Sequence, residues 1–427
     1  MKRHTTEKRN QFQSGKTDYT THADPPLDNA EDTENSIDGL VPSVFSAGSV
    51  EHVDQRGVYS PDETSTKKED ASESKDWIGE RKRDSEDIEQ PNAQRAEESP
   101  PELNDQSEDG ISGISEGLAY FGFCKTGKSH IERGVECQDK CCVNSVEKDG
   151  KTVLILSIAD GLGSCKHSAI GAGIATQTSC EAVKNCIIES DRQLEEITIA
   201  SIKKAMQAAY EMVESKAFEN SESSDLYCST LTIAVYDGCS LYIGHAGDDG
   251  VVVLSNSGLY ALVTARHKGE EINSVYPLQS KETWEFLKVR DITGVILATD
   301  GVLDSFVRDY RENWRIFFPV LQPLITRDLN SAEKVQNLKE DYAEYMDSES
   351  YRSIVRDDLT FLAAINTKTV VKTNFKEFDL DEWIEQTKRF RLDFYNTLYP
   401  DKIISDSSID KWILREKKLL IGIPSTQ

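Results

Sequence analysis

The sequence has few basic residues for its length. Its 427 residues include 49 Lys and Arg against 75 Asp and Glu, so the formal net charge is −26. Nucleic-acid binding depends on Lys and Arg side chains that neutralise backbone phosphates, and this composition therefore argues against a nucleic-acid partner. A strongly acidic chain attracts cations instead, and divalent metal ions are among them.

Long apolar runs are also lacking. No run approaches the roughly 18 to 20 residues that are needed to span a bilayer. The first seven residues are not followed by an apolar stretch of the secretory-signal type. We therefore expect a cytoplasmic protein with no membrane partner. The nine cysteines are odd in number and dispersed, which favours free thiols in a reducing compartment over a disulfide framework.

Hydrophobic residues are scarce as well, at 37% of the chain. Residues 1–115 are rich in Asp, Glu, Ser, Thr, Asn and Pro and hold few clustered apolar side chains. Such a segment cannot bury enough apolar surface to offset its chain entropy, so we expect a disordered acidic arm. The composition changes near residue 116. We expect a folded domain over residues 116–367 and a helical extension over residues 368–427.

Hydrophobic patterning in the folded part predicts an α+β fold. Continuous or alternating apolar runs predict strands at residues 118–123, 152–159, 230–235, 241–243, 251–254, 259–262, 294–299 and 359–364. Helical spacing predicts helices over 169–188, around 199–213, through most of 302–356, and in the tail around 380–394 and 409–419. Asp237-Gly238 and Asn256-Ser257-Gly258 are typical hairpin turns. Strands joined by short turns and followed by helices indicate antiparallel hairpins packed on helices.

Aspartates recur at the ends of these strands. They occur in Gln138-Asp139, Asp160-Gly161, Gly247-Asp248-Asp249-Gly250, Asp300-Gly301 with Asp304, and Asp357-Asp358. Any single Asp-Gly is more simply explained as a turn, but residues 158–161 and 297–301 repeat one pattern of apolar strand, Asp and Gly. Carboxylates that converge at one sheet edge repel each other unless cations hold them. Oxygen ligands of this kind favour magnesium or manganese over zinc.

Cysteine and histidine at zinc-binding spacing are absent, apart from the trio Cys137, Cys141 and Cys142, which lacks a second paired half. We regard this trio as incidental.

The order of these motifs resembles a known family. The segments 137–139, 159–164, 229–231, 247–249, 299–304 and 356–360 are similar to motifs of the type 2C (PPM) metal-dependent serine/threonine protein phosphatases, and most similar to the bacterial branch. The resemblance covers about residues 117–367. It implies a four-layer α-β-β-α sandwich with two Mg²⁺ or Mn²⁺ ions in a cleft at one edge of the two central sheets.

The resemblance also assigns roles to individual residues. Asp160 resembles the aspartate that bridges both metals, and the carbonyl of Gly161 resembles a second ligand of one of them. Asp300 and Asp357 resemble the carboxylates on the other metal. Gln138 and Asp139 complete the metal set, with Asp139 acting through metal-bound water. Asp248 and Asp304, together with Asp300, resemble the ligands of a weaker third metal.

The implied reaction is hydrolysis of phosphoserine or phosphothreonine in proteins by a metal-activated water. A phosphorylated protein would be the substrate, and a cognate Ser/Thr kinase the functional counterpart. No covalent phospho-enzyme is required. Cys165 follows the Asp160 loop, but we do not expect it to be a nucleophile, because neither a Cys-x5-Arg motif nor a paired base is visible.

Three positions depart from the family pattern. Gln138 stands where many members have glutamate, and Leu162 stands where many have a histidine that serves as general acid. A metal-bound water or the nearby His167 would then protonate the leaving group, although a helix cap or a solvent-facing position is the simpler role for His167. The family's phosphate-binding arginine lies a few residues before the Gln-Asp pair, and Arg133 and His130 are the two candidates here.

Two other functional classes stay open. The first is a catalytically weak pseudophosphatase that acts as a phospho-signalling scaffold, with the acidic arm as its working part, because Gln138 and Leu162 depart from the active pattern. The second is an acidic metal-binding structural protein, which leaves the order of the strand-end aspartates unexplained. The phosphatase hypothesis accounts for most of the sequence.

Overall fold

The computed structural model describes residues 50–52, 110–256, 258–267, 275–310, 313–369, 378–398, 400 and 405–426. All of them lie in one of the two units into which the chain divides, Gly39–Gln427. The other unit, Met1–Asp38, lies outside the described residues.

The described part contains two six-stranded sheets. In spatial order the first consists of β1 (Val50–His52), β10 (Glu285–Arg290), β7 (Ser240–Ala246), β6 (Leu231–Tyr236), β5 (Lys151–Ala159) and β4 (Lys140–Lys148). The second consists of β2 (Ile111–Ser115), β3 (Leu118–Lys125), β14 (Leu359–Asn366), β11 (Ile292–Ala298), β8 (Gly250–Ser255) and β9 (Tyr260–Leu262). A separate hairpin joins β12 (Val307–Tyr310) to β13 (Asn313–Ile316). Neighbouring strands are antiparallel in every described pairing.

Nine α-helices accompany the sheets in the described residues: α1 (Lys128–Arg133), α2 (Ser168–Glu189), α3 (Leu194–Glu219), α4 (Asp300–Phe306), α5 (Pro323–Thr326), α6 (Ala332–Asp347), α7 (Glu349–Arg352), α8 (Leu380–Leu398) and α9 (Asp406–Leu419). Short 3-10 turns occur at Ser224–Tyr227, Lys281–Thr283 and Phe318–Val320. None of these described helices is long and apolar enough to cross a membrane.

Three hydrophobic clusters separate four layers. The alternation of side chains along β5 shows the arrangement, because successive residues of a strand point to opposite faces. Val153 and Ile155 pack with α2 and α3, whereas Leu154 and Leu156 pack against the second sheet. The far face of the second sheet is covered by helices α4 to α9. The expected α-β-β-α sandwich is therefore confirmed.

Most predicted elements are confirmed, and the differences have a physical reason. β4 and β10 are half-polar strands that the search for apolar runs missed. The hairpin β12–β13 interrupts a segment predicted as mostly helical, so that part of the helix prediction is wrong. Here a tertiary contact overrides local pattern, since Arg308 of β12 is buried against Glu416 of α9. Of the predicted turns, Asp237-Gly238 is confirmed, with Gly238 at φ +92°, whereas Ser257 of the other lies outside the described residues.

Both ends of the folded region contribute to its packing. Strands β1 and β2 belong to the segment that the sequence analysis assigns to the arm, and they join the edges of the two sheets; the rest of that segment, apart from Gly110, lies outside the described residues. The tail forms α8 and α9 where two helices are predicted. Trp383 and Leu419 of these helices are buried in the cluster beneath the second sheet. The tail is thus part of the fourth layer.

Candidate active site

The strand-end aspartates meet at one edge of the sandwich because of the sheet topology. In an antiparallel pair the end of one strand lies beside the start of its neighbour. Lys140 at the start of β4 pairs with Ala159 at the end of β5, so Asp139 and Asp160 are neighbours. In the second sheet Ala298 at the end of β11 pairs with Gly250 on one side and Phe361 on the other. This brings the residues around 248, 300 and 357 to the same edge.

Asp139 is held by two threonines. Its Oδ2 accepts hydrogen bonds from Thr299 Oγ1 at 2.7 Å and Thr360 Oγ1 at 2.9 Å. The side chain is buried, and burial together with the charge of Asp358 raises the pKa of Asp139 from 3.8 to about 7. The threonines fix the direction of one carboxylate oxygen.

Asp160 follows β5 directly and is locked through its backbone. Its N–H donates to Thr230 Oγ1 at 2.7 Å, and the N–H of Thr230 donates to the carbonyl of Asp160 at 2.8 Å. Burial raises the pKa of the Asp160 carboxyl well above its usual range, and the negative charges of Asp139 and Asp300 add to the effect. The group is therefore a half-buried carboxylate among other carboxylates.

The backbone around Gly161 leaves no room for a side chain at this position. An added Cβ would lie 2.8 Å from the carbonyl carbon of Ser168 and 2.9 Å from the carbonyl oxygen of Gln138. The side-chain Oε1 of Gln138 is buried, and the described part of the chain offers it no hydrogen-bond partner. The backbone thus packs tightly at Gly161, and one unsatisfied side-chain oxygen, Oε1 of Gln138, lies beside the Asp160 loop.

Asp357 and Asp358 have different surroundings. Asp358 is buried and accepts from the backbone N–H groups of Gly127 and Gln138, each at 2.6 Å. Asp357 is exposed, and its charge acts on Asp300, the first residue of α4. Burial, followed by the charges of Asp248, Asp304 and Asp357, raises the pKa of Asp300 well above its usual range. Asp357 thus belongs to the carboxylate cluster, whereas Asp358 anchors the two loops beside it.

Asp249 is a member of the cluster that the sequence analysis did not single out. It is fully buried, and its Oδ2 accepts from Thr230 Oγ1 at 2.7 Å. Its Oδ1 is buried with no partner among the described residues. Burial raises its pKa well above the usual range, and Asp248 adds to this. The acidic motif at 247–250 signals this region, but not which of its two aspartates is buried more deeply.

Arg266 is the second residue that the sequence analysis missed. Its Nη1 donates to Asp304 Oδ1 at 2.5 Å, its Nε donates to the carbonyl of Asp248 at 3.3 Å, and its Nη2 lies 3.9 Å from Asp248 Oδ2. Burial opposes the charge of this guanidinium, but Asp304, Asp248 and Asp300 outweigh it and raise the pKa of Arg266. Asp248 and Asp304, two of the three residues expected to hold a third metal, are therefore paired with an arginine.

The remaining candidates from the sequence have other partners. The ring of His167 lies 3.0 Å from a Glu222 carboxylate oxygen and stacks on Tyr227 at 4.9 Å. Arg133 is exposed, and its Nε donates to the carbonyl of Ser129 within α1. His130 is buried, with Nδ1 at 2.9 Å from Asp358 Oδ1. Among the described residues, none of these contacts joins the three side chains to Asp160 or Asp300.

The donor set at this edge suits hard divalent cations. Burying a carboxylate beside other carboxylates costs several kcal/mol unless a cation compensates, and Asp160, Asp249 and Asp300 all have raised pKa values for this reason. Every candidate ligand is an oxygen atom, as Mg²⁺ and Mn²⁺ prefer. The unpaired oxygens of Gln138 and Asp249 fit the same interpretation.

The fold and the site together define a four-layer α-β-β-α sandwich with an oxygen-rich carboxylate cluster at one edge. The family model described as protein phosphatase 2C matches residues 126–340, which is half of the chain. The chain belongs to the protein phosphatase 2C family. No curated protein matches it.

Several solved structures are similar to this chain. A bacterial serine phosphatase shares 15% identity at a TM-score of 0.42, with 58% of this chain and 97% of that chain covered. The serine/threonine phosphatase Stp1 from Staphylococcus aureus shares 15% identity at a TM-score of 0.40, with 60% and 99% covered. The catalytic domain of the serine/threonine phosphatase PstP in complex with two manganese ions shares 16% identity at a TM-score of 0.38, with 58% and 97% covered.

Proposed function

We propose that the protein is a metal-dependent serine/threonine protein phosphatase that hydrolyses phosphoserine and phosphothreonine in proteins. The observation that carries the proposal is the group of buried and half-buried aspartates at one edge of the sandwich, whose pKa values are raised by desolvation and by each other. Membership of the protein phosphatase 2C family supports it. Manganese in the similar PstP structure is in keeping with an oxygen-rich site of this kind.

In this proposal Asp160, the carbonyl of Gly161, Asp300 and Asp357 would hold two Mg²⁺ or Mn²⁺ ions. Asp139 and Gln138 lie behind these ligands. Such ions lower the pKa of a water molecule and neutralise charge on phosphoryl oxygens. The protein supplies the fixed geometry for this chemistry.

The threonines next to the aspartates would provide that geometry. Thr230 binds the backbone of Asp160 and the side chain of Asp249. Thr299 and Thr360 both donate to Asp139. Because each hydroxyl satisfies a carboxylate oxygen or a backbone N–H, the remaining oxygens keep fixed directions toward the site.

The contacts of His167 favour a structural role over that of general acid. Its pairing with Glu222 and its stacking on Tyr227 tie the start of α2 to the loop before β6. Arg133 and His130 stay candidates for contacting the substrate phosphate. Arg133 is exposed at the surface, whereas His130 is buried and contacts Asp358. A phosphorylated protein substrate, a cognate kinase and a cytoplasmic location belong to the same proposal.

The test is hydrolysis of p-nitrophenyl phosphate and of a phosphothreonine peptide at neutral pH, with Mn²⁺ and then with excess EDTA. We expect release of phosphate that EDTA stops, and at least a 100-fold loss in Asp160→Asn. Asp328→Asn removes an exposed carboxylate that pairs only with side chains outside the site and serves as the matched control. Full activity of Asp160→Asn would contradict the proposal.

A catalytically weak scaffold is the second candidate. The neutral Gln138 and the apolar Leu162 stand where many relatives carry charged or titratable groups. It predicts folded protein that binds Mn²⁺ but releases no phosphate from either substrate. The same experiment separates the two functions, provided that metal binding is measured in parallel.

A further inference from the structure

We infer that Arg266 takes the place of a third metal ion, so that the site uses two metals and one fixed organic cation. The inference rests on the proposed function, since it concerns how the metal-binding edge of the protein is completed. It concerns Asp304 and Asp248, which the family resemblance connects, together with Asp300, with a weak third metal.

The contacts of Arg266 cover the groups that such a metal would need. Nη1 donates to the Asp304 carboxylate, Nη2 faces the Asp248 carboxylate at 3.9 Å, and Nε donates to the Asp248 carbonyl. Only 14% of the Arg266 side chain is exposed. A guanidinium has several donors in a rigid plane, and here three of its nitrogens lie within 4 Å of two aspartates.

The loop that carries Arg266 is fixed on both sides. The N–H of Ala265 donates to Glu285 Oε2 at 3.3 Å, and the carbonyl of Ala265 lies 2.9 Å from Nε2 of His245. On the other side, the N–H of His267 donates to the carbonyl of Gly247 at 2.9 Å. The Arg266 backbone is therefore pinned to β7, β10 and the turn that carries Asp248. The guanidinium therefore extends to the two aspartates from a backbone position that hydrogen bonds hold in place.

His245 supports this arrangement through its protonation state. It is fully buried in β7, and burial lowers its pKa to about 4. A neutral imidazole has one N–H, and because a carbonyl can only accept, Nε2 carries the proton and donates to Ala265. Nδ1 lies 2.9 Å from Thr232 Oγ1. The loop is thus connected, through Thr232, to the strand that follows Thr230.

A fixed guanidinium and a divalent ion cannot share this position. Like charges in close contact repel strongly inside a protein, and one oxygen of Asp304, Oδ1, already accepts from Arg266. A guanidinium also has no coordinated water that could ionise, and it does not lose its own proton near neutral pH. The charge at this position therefore depends on neither metal concentration nor pH, and activity should follow metal concentration in a single phase.

The experiment measures how many Mn²⁺ ions the full chain binds, by calorimetric titration checked against metal content after desalting. Arg266→Ala removes the cation, Arg266→Lys keeps a cation, and Arg290→Gln is the control, since Arg290 is a half-exposed arginine that pairs with Glu195. We expect two ions in the wild type, in Arg266→Lys and in Arg290→Gln. We expect a third, weaker ion in Arg266→Ala, with a second phase in its activity at millimolar Mn²⁺. Circular dichroism establishes that each variant is folded.

The outcomes separate this inference from the proposed function. No bound Mn²⁺, or a single ion in the wild type, would overturn the binuclear site itself. Three ions in the wild type would leave the phosphatase proposal standing and overturn the inference, whatever the variants do. Two ions in both the wild type and folded Arg266→Ala would also overturn it, because Arg266 would then not be what keeps a third ion out. Three ions in Arg266→Lys would show that a side-chain cation does not exclude the metal.

Discussion

Glu416 of helix α9 accepts hydrogen bonds from Nε and Nη2 of Arg308, at 3.0 and 2.7 Å, and both side chains are buried. The indole of Trp383 in α8 donates to the other oxygen of Glu416 at 3.1 Å. Nη1 of Arg308 and Nη2 of Arg415 each donate to the carbonyl of Asp304, both at 3.1 Å. The C-terminal helices therefore hold the end of α4, the helix that begins at Asp300.

Removal of Glu416 should destabilise the whole domain. Glu416→Ala leaves the charge of Arg308 buried without its partner, and breaking a buried pair in this way costs about 3–5 kcal/mol. Urea unfolding followed by circular dichroism measures the loss of unfolding free energy. Glu385→Ala, at an exposed position of α8, is the control and should change it by about 0.5 kcal/mol or less. Equal effects of the two variants would mean that the tail does not depend on this pair.

Stability of the metal-free protein should fall as the pH rises. Burial raises the pKa of Asp139 from 3.8 to about 7, and those of Asp160, Asp249 and Asp300 rise as well. The folded state therefore binds these protons more tightly than the unfolded chain, so their contribution is fully present below about pH 4 and is lost as the pH rises through about 7. With EDTA present, we expect an unfolding free energy that is lower at pH 7.5 than at pH 5 by the order of a few kcal/mol.

Two further measurements test whether the aspartate cluster causes this pH dependence of stability. Asp139→Asn keeps an oxygen acceptor for Thr299 and Thr360 but cannot ionise, so its stability should depend less on pH than that of the wild type. Mn²⁺ should raise the melting temperature more at pH 7.5 than at pH 5, because it competes with fewer protons. Higher stability at pH 7.5 in EDTA, or an unchanged pH dependence in Asp139→Asn, would contradict the prediction.

Gly161 and Gly163 provide a matched pair of substitutions. In Gly161→Ala the new Cβ would clash with the backbone at Ser168 and Gln138, at 2.8 and 2.9 Å. In Gly163→Ala the nearest atom is the side-chain oxygen of Gln138 at 3.8 Å, which is ordinary contact. We expect Gly161→Ala to lose at least tenfold in kcat/KM with a lower Mn²⁺ affinity, and Gly163→Ala to stay within about twofold. Similar activities of the two variants would show that the backbone approach at Gly161 does not shape the site.

The strand-end aspartates could be predicted from sequence because their signal is local. An apolar strand followed by Asp and Gly identifies Asp160 and Asp300 without knowledge of the fold, and antiparallel pairing then brings them together. In β5 and β11 the side chains on both faces of the strand are buried, so each strand is a continuous apolar run that is easy to recognise in the sequence.

Arg266 could not be predicted because its partners are distant in the sequence. Asp304 lies 38 residues away and Asp248 lies 18 residues away, and no repeating pattern connects them. The same holds for Asp358, whose carboxylate binds Gly127 and Gln138 more than 200 residues earlier. Contacts of this kind depend on how the two sheets pack, and sequence periodicity reports only which face of an element is buried.

His130 and Arg133 lie in the same short helix and differ in a testable way. His130 is buried beside Asp358, so His130→Ala should lower the free energy of unfolding by about 1–3 kcal/mol, because Asp358 loses one close polar contact and the space of a buried side chain is left empty. Arg133 is exposed, with its Nε on the carbonyl of Ser129, so Arg133→Ala should change stability by about 0.5 kcal/mol or less. If Arg133 contacts the substrate phosphate, its loss raises KM for a phosphopeptide while the unfolding curve stays the same. An equal loss of stability in Arg133→Ala and His130→Ala would contradict the assignment of a structural role to His130 alone. An unchanged KM in Arg133→Ala would remove Arg133 from the candidate phosphate contacts.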